Sequence, residues 1–318
     1  MRLSAAQVRL YGDQGWLVVD NVLRIQEVEE LRTVLENGGD GGEPLYGIDM
    51  TTHHPAFLAL ARDPRITDRV ASLLGDNITL QHSKTVHKSQ DQPGGGAVRF
   101  HQDFAYFPHT NRVSFWPNKT ATISQYGYSV CLARGLQDVL AVMVVLDDFT
   151  EANACMRVVS GSHKLGLLDH NNGPDRLFNA EPPLAQHEHL WADDTNLQQV
   201  RPRAGGISIH HALTLHGSPT NTSSLPRRGL VFQYRAADNY QLADNLWKDG
   251  GLLVRGSRSE SVRCENGVFV LPRFALPPPL PGHASSDGAG SGLGSRGRHG
   301  TLWNQGTLPF CAHRGITS

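Results

Sequence analysis

The chain has 318 residues, 39% of them hydrophobic, enough for one large core or two modest ones. Its 29 basic and 30 acidic residues leave a formal net charge of -1. No basic-aromatic stripe and no long-range field point to nucleic acid, and no apolar run approaches the length of a membrane span. The N-terminus, MRLSAAQVRLYGDQG, has no apolar signal-like core, and Cys131, Cys155, Cys264 and Cys311 are scattered without a CxxC pair. These features predict a soluble intracellular, cytoplasmic protein whose cysteines are isolated thiols and whose sequons at Asn77, Asn118 and Asn221 stay silent. Oligomeric state is left open.

In chain order, Ser4 caps a short predicted helix reaching Tyr11, and Gly15 precedes the strand-like run WLVVDNVL. A second helix is expected over Ile25 to Leu35, ending at Asn37-Gly38-Gly39. After Pro64, Ile66, Val70, Leu73 and Leu74 share one helical face, and Gly75 stops the helix. From there the period changes. Ile78 to Lys88, Val139 to Leu146, Cys155 to Val159, Gly206 to Thr214 and Gly229 to Tyr234 read as strands between Gly- and Pro-rich loops. With no βαβ rhythm, this predicts a mainly β fold with flanking α-helices around a double-stranded β-helix, a cupin-like jelly roll. A single domain is expected over residues 1–276, with a polar-aromatic insertion at 109–137 that holds Trp116, Tyr126 and Tyr128. Residues 277–318, rich in Gly and Ser, read as a flexible tail.

The sharpest local feature is His101-Gln102-Asp103. In extended chain, residues two apart share a face, so His101 and Asp103 can approach one ion while Gln102 turns away. A third ligand must come from another strand, and SIHHALTLHGSPTN offers His210, His211 and His216. His210 and His216 share strand parity, and His216 lies at the strand end marked by Gly217 and Ser218, which favours it. His210 and His211 read as hydrogen-bonded packing histidines. Two imidazoles and one carboxylate form a facial set with open positions, the arrangement of non-haem iron(II) oxygenases, although zinc and manganese enzymes use similar ligands. A bidentate dicarboxylate co-substrate also needs a cation for its distal end. Arg227 and Arg228, just before the strand GLVFQY, place one guanidinium inside the roll and one outside, and Lys84 offers a second cation. Phe104, Tyr106 and Phe107 follow the triplet and either shape the cavity or fill the core.

Taken together these segments resemble the phytanoyl-CoA dioxygenase family of Fe(II)/2-oxoglutarate-dependent oxygenases. The likeness runs through YGDQGWLVVDNVL, HQDFAYFP, VLAVMVVLDDFTEANACMRVVSGSHKLG and HALTLHGSPTN followed by arginine, over most of residues 7 to 250. The resemblance implies that His101, Asp103 and His216 bind Fe(II) and that Arg227 grips the distal carboxylate of 2-oxoglutarate. Lys84 matches the co-substrate pocket more loosely. It implies a dioxygenase that uses O2 to hydroxylate an aliphatic carbon of a small-molecule or acyl-type substrate, releasing succinate and CO2. Asp103 separates the chain from related halogenases, which carry a small residue there. The insertion at 109–137 departs from the family pattern, and no patch suited to CoA is evident. The competing readings are a non-redox, zinc- or manganese-dependent cupin-like enzyme and a non-enzymatic jelly-roll binding protein.

Overall fold

In the computed structural model, residues 1–89, 96–106, 139–168, 170, 187–192, 196–239 and 248–260 are described. The predicted insertion at 109–137 and tail at 277–318 lie outside them. Helix α1 (Ala5–Gln14) starts where expected. The Ser4 hydroxyl accepts from Gln7 N, the Gln7 side chain accepts from Ser4 N, and Gly15 closes the helix at φ 81°. Strand β1 (Trp16–Val19) is shorter than its apolar run because the backbone turns at Asn21, φ 57°. Helix α2 (Ile25–Asn37) and two helices the periodicity did not reveal, α3 (Met50–His53) and α4 (Pro55–Ala61), follow. Those two are too short to show a period. Their local signal is His54-Pro55, with the His54 ring accepting from Ala56 N and proline in the first turn. Helix α5 (Pro64–Leu74) completes the layer, buries Ile66, Val70 and Leu73, and ends at Gly75.

Nine strands come after: β2 (Ile78–Lys88), β3 (Val98–His101), β4 (Val139–Val145), β5 (Met156–Val159), β6 (Leu197–Val200), β7 (Ile207–His211), β8 (His216–Ser218), β9 (Arg227–Ala236) and β10 (Leu253–Arg255). A short helix, α6 (His189–Ala192), precedes β6. The larger antiparallel sheet has the order β1-β7-β4-β9-β2-β10 and the smaller one β3-β8-β5-β6. Strand β4 lies between β7 and β9, and its alternation divides the core. Leu140, Val142 and Val144 pack with the helices, whereas Ala141, Met143 and Val145 face Met156, Val158 and Val200 of the smaller sheet. Both faces being covered explains the unbroken apolar run. Each such side chain contributes about 1.5–3 kcal/mol by leaving water, so an aspartate at Val142 would break the layer.

The fold is mixed α/β, with a curled antiparallel sheet that stays open as a half-barrel. The expectation of a double-stranded β-helix, jelly-roll core is met in part: among the described residues no ladder joins the two sheets into a closed barrel. No helix there is long and apolar enough to cross a membrane.

Candidate metal centre

Strand β3 ends at His101, and the chain tightens at once into a 3-10 turn, Asp103–Tyr106. His101 is the cross-strand partner of His216 at the start of β8. The Nε2 atoms of His101 and His216 lie 3.5 and 3.8 Å from Asp103 Oδ1, and the three donor atoms fall within 4.8 Å of one another. His101 Nδ1 faces the Arg99 carbonyl at 2.8 Å, and His216 Nδ1 faces the Thr214 carbonyl at 2.9 Å. A carbonyl only accepts, so each Nδ1 carries the proton and each Nε2 lone pair points to the shared centre. The donor set therefore fits one divalent ion bound from one side.

The charges agree with that reading. Burial pushes the Asp103 carboxyl up, but the surrounding imidazoles of His216, His101 and His210 overcome it and hold it well below the usual range. Burial, with His101 nearby, lowers His216 well below an ordinary imidazole, so it stays neutral and keeps its Nε2 lone pair. A cavity of about 460 Å³, counting its open mouth, runs from these groups past Lys84, Met143, Met156 and Val231 to Arg227.

Arg227 is 2% exposed. Its guanidinium lies 5.0 Å from the Phe149 ring centroid and donates to the Ala154 carbonyl, and no carboxylate among the described residues pairs with it. Desolvation pulls its pKa down to about 10. Arg228 points the other way, onto Asp147 and Glu36. The expected division of the two arginines, one inside and one outside, holds. Lys84 is half-buried on the cavity wall, as a strand residue facing inward.

Residues 11–229 match the family described as phytanoyl-CoA dioxygenase (PhyH). The chain belongs to that family. It is 32% identical over 187 residues to a probable alpha-ketoglutarate-dependent hypophosphite dioxygenase of Stutzerimonas stutzeri, covering 59% of this chain and 55% of that protein. The chain thus spans little more than half the length of that relative. An L-proline trans-4-hydroxylase of Streptomyces griseoviridis is 24% identical over 261 residues, 74% of this chain and 88% of that one. Among solved structures, iron-bound EctD from S. alaskensis superposes with a TM-score of 0.60 at 19% identity, over 81% of this chain and 88% of that one. At that identity the likeness concerns the fold.

Within this family member, three residues near the centre escaped the sequence reading or were read as packing. Gln102, between the two ligand candidates, is fully buried. Its Nε2 donates to the Gly166 and Leu213 carbonyls (2.8 and 2.7 Å), and its Oε1 accepts from Leu168 N at 2.8 Å. It turns away from the centre, as alternation predicts, and clamps the turn. His210 is the hydrogen-bonded, buried residue expected, but its partner is the site itself: its Nε2 lies 3.3 Å from Asp103 Oδ2. The parity argument that linked it to His216 does not hold, because residues 212–215 leave the larger sheet and β8 belongs to the smaller one. His211 is the packing residue expected, accepting from Leu213 N at 2.8 Å. Lys88, opposite Arg227 on β2, is buried with its ammonium on the Gly96, Ser218 and Pro219 carbonyls. Burial, with the Arg227 charge, lowers it to about 7. The spacing Lys84, Val86, Lys88 was its signal.

Proposed function

We propose that this chain is an Fe(II)- and 2-oxoglutarate-dependent dioxygenase that hydroxylates an aliphatic carbon of a small-molecule or acyl-type substrate. The two sheets are taken as the halves of a double-stranded β-helix. The observation that carries the reading is the pairing of the His101–Asp103–His216 cluster with a buried arginine that lacks a carboxylate, at the other end of one cavity. A hydrolytic metal enzyme has no use for that arginine, and a binding protein has no use for three convergent ligands.

His101, Asp103 and His216 would hold the metal, with the imidazoles set by the Arg99 and Thr214 carbonyls. Iron bound there supplies the redox chemistry by which O2 and 2-oxoglutarate give succinate, CO2 and a hydroxylated product. Asp103 contributes one negative charge and, being ionised, needs no proton removed on binding. Arg227 offers its fork to the distal carboxylate of the co-substrate, and Lys84 adds a second positive charge along the wall. Met143, Met156 and Val231 keep water from the stretch between.

Anaerobic protein loaded with Fe(II) is titrated with 2-oxoglutarate, following the visible charge-transfer band, and succinate is assayed after air is admitted. Wild type is expected to show the band. His216→Ala loses it with its iron. Arg227→Ala needs about 10- to 100-fold more 2-oxoglutarate, the equivalent of a lost charged hydrogen-bond pair of roughly 1.5–3 kcal/mol. Folded, iron-loaded wild type without a band sinks the assignment.

A further inference from the structure

The three donors of the metal cluster are held by different parts of the fold. His101 and His216 belong to the smaller sheet and are paired across its β3–β8 ladder. Asp103 lies just past the end of β3, in the 3-10 turn. That turn leans on the chain that follows β7: Phe104 N donates to the Ala212 carbonyl at 2.9 Å, and the Gln102 amide donates to the Leu213 carbonyl at 2.7 Å. The carboxylate itself is met by a side chain of the larger sheet, with His210 Nε2 3.3 Å from Asp103 Oδ2.

The two oxygens of Asp103 have separate neighbours. Oδ1 faces Nε2 of His101 and His216 at 3.5 and 3.8 Å, whereas Oδ2 faces His210. An ionised carboxylate only accepts, so the proton of that bond sits on His210 Nε2, which then has no lone pair for a metal. The convergent donors are those of His101, Asp103 and His216, although the His210 ring centroid is 4.6 Å from that of His216. His210 is also built to hold an oxygen still. It is paired on both sides, with Trp16 of β1 and Ala141 of β4, so its backbone cannot shift without disturbing two ladders. Its neighbour Ile209 packs with the helices, which turns the His210 ring to the inner face, where it lines the cavity. The last torsion of an aspartate is broad and roughly two-fold, so nothing in Asp103 itself decides whether one oxygen or both reach an ion. A donor on Oδ2 decides it. Three protein donors leave half of an octahedron open, enough for a chelating dicarboxylate together with O2, and a carboxylate bound through both oxygens would close one of those positions.

We propose that His210 is a positioning residue of the metal centre: it holds Asp103 Oδ2 so that Oδ1 alone is offered to the ion. This rests on the metal-binding part of the reading above. The ladder of the smaller sheet sets the two imidazoles, and the larger sheet, through His210, sets the carboxylate against them.

The test titrates the full-length protein anaerobically with Fe(II) and, separately, with Zn(II), in wild type and in variants whose urea midpoints show them folded. His210→Phe keeps a ring but not the donor, and its affinity for both ions is expected to fall about 10-fold or more. His210→Gln restores an N–H and should recover to within about threefold of wild type. A double-mutant cycle with Asp103→Ala uses Zn(II), which binds such donors more tightly than Fe(II). In that background His210→Phe should change the affinity by less than about twofold, because the oxygen it acts on is gone. A packing role alone would give neither the rescue nor the coupling. Wild-type affinity in His210→Phe, no recovery in His210→Gln, or an undiminished loss in the Asp103→Ala background overturns the proposal, the last by marking His210 as a ligand. So does failure of both His210→Phe and His210→Leu to fold, which would make the residue a support of the sheet instead. Wild type that takes up neither ion indicts the metal centre, and with it the oxygenase reading.

Discussion

His101 and His216 are cross-strand partners, 115 positions apart in sequence, with ring centroids 4.3 Å apart. The ladder between β3 and β8 therefore sets the distance between the two imidazoles, and Asp103 joins them only because the chain turns immediately after β3. Three predictions follow from how that ladder and its surroundings are held.

Gln102 fixes the turn between His101 and Asp103 through side-chain bonds to Gly166, Leu213 and Leu168. Gln102→Leu removes the partner of the buried Leu213 carbonyl and of the half-buried Gly166 carbonyl and Leu168 N–H, and unfolding free energy should fall by about 1–3 kcal/mol. Iron affinity should drop about 10- to 100-fold, the usual effect of removing support from a metal ligand. Urea unfolding and metal titration measure the two effects. A variant that is destabilised but binds iron normally would show the clamp to be purely structural.

Gly217 follows His216 on β8, and a Cβ there would lie 2.7 Å from the Val98 carbonyl oxygen and 3.1 Å from Phe100 N. Both obstacles are backbone, so β3 and β8 must separate. Gly217→Ala is expected to stay folded, because the larger sheet is untouched, yet to bind iron about tenfold or more weakly. Equal metal affinity in wild type and variant would mean that the ladder tolerates the shift without moving His216.

Acid should unfold this protein through its buried neutral histidines. Burial lowers His163, whose Nε2 lies 3.1 Å from the Gly12 carbonyl, to about 4, against about 6.5 in an unfolded chain. Between those values the unfolded state binds the extra proton. The contribution is therefore complete above pH 6.5 and is lost as pH falls toward 4. For His163 alone this is roughly 2 kcal/mol between pH 7 and pH 5. Urea unfolding at pH 7, 6 and 5 should show a shallower decline in His163→Gln than in wild type. Parallel declines would remove His163 from the account and leave it to His82 and His211, which burial also lowers.

Elements with strong local signals were legible. The span Ile78–Lys88 is a strand over its whole predicted length, α5 runs from Pro64 to Leu74, and the apolar run from Val139 becomes the strand between β7 and β9. Helices α3 and α4 were missed because four and seven residues are too few to establish a 3.6-residue period. His216 was chosen partly for a wrong reason, the supposed continuity of its strand with His210. The second reason, its place beside Gly217 and Ser218 at a strand end, survives, since those residues form β8 with it.

By itself the sequence determined the ligand types and their order, the position of the arginine beyond the last histidine, and which segments alternate. All of these are properties of the chain within a few residues. Tertiary structure alone decided that β7 and β8 belong to different sheets, that Gln102 locks the turn, and that Lys88 sits beside Arg227. It also decided that His210 of the larger sheet meets Asp103. Strand register is fixed by which faces can be buried together, and that depends on residues far apart in the chain.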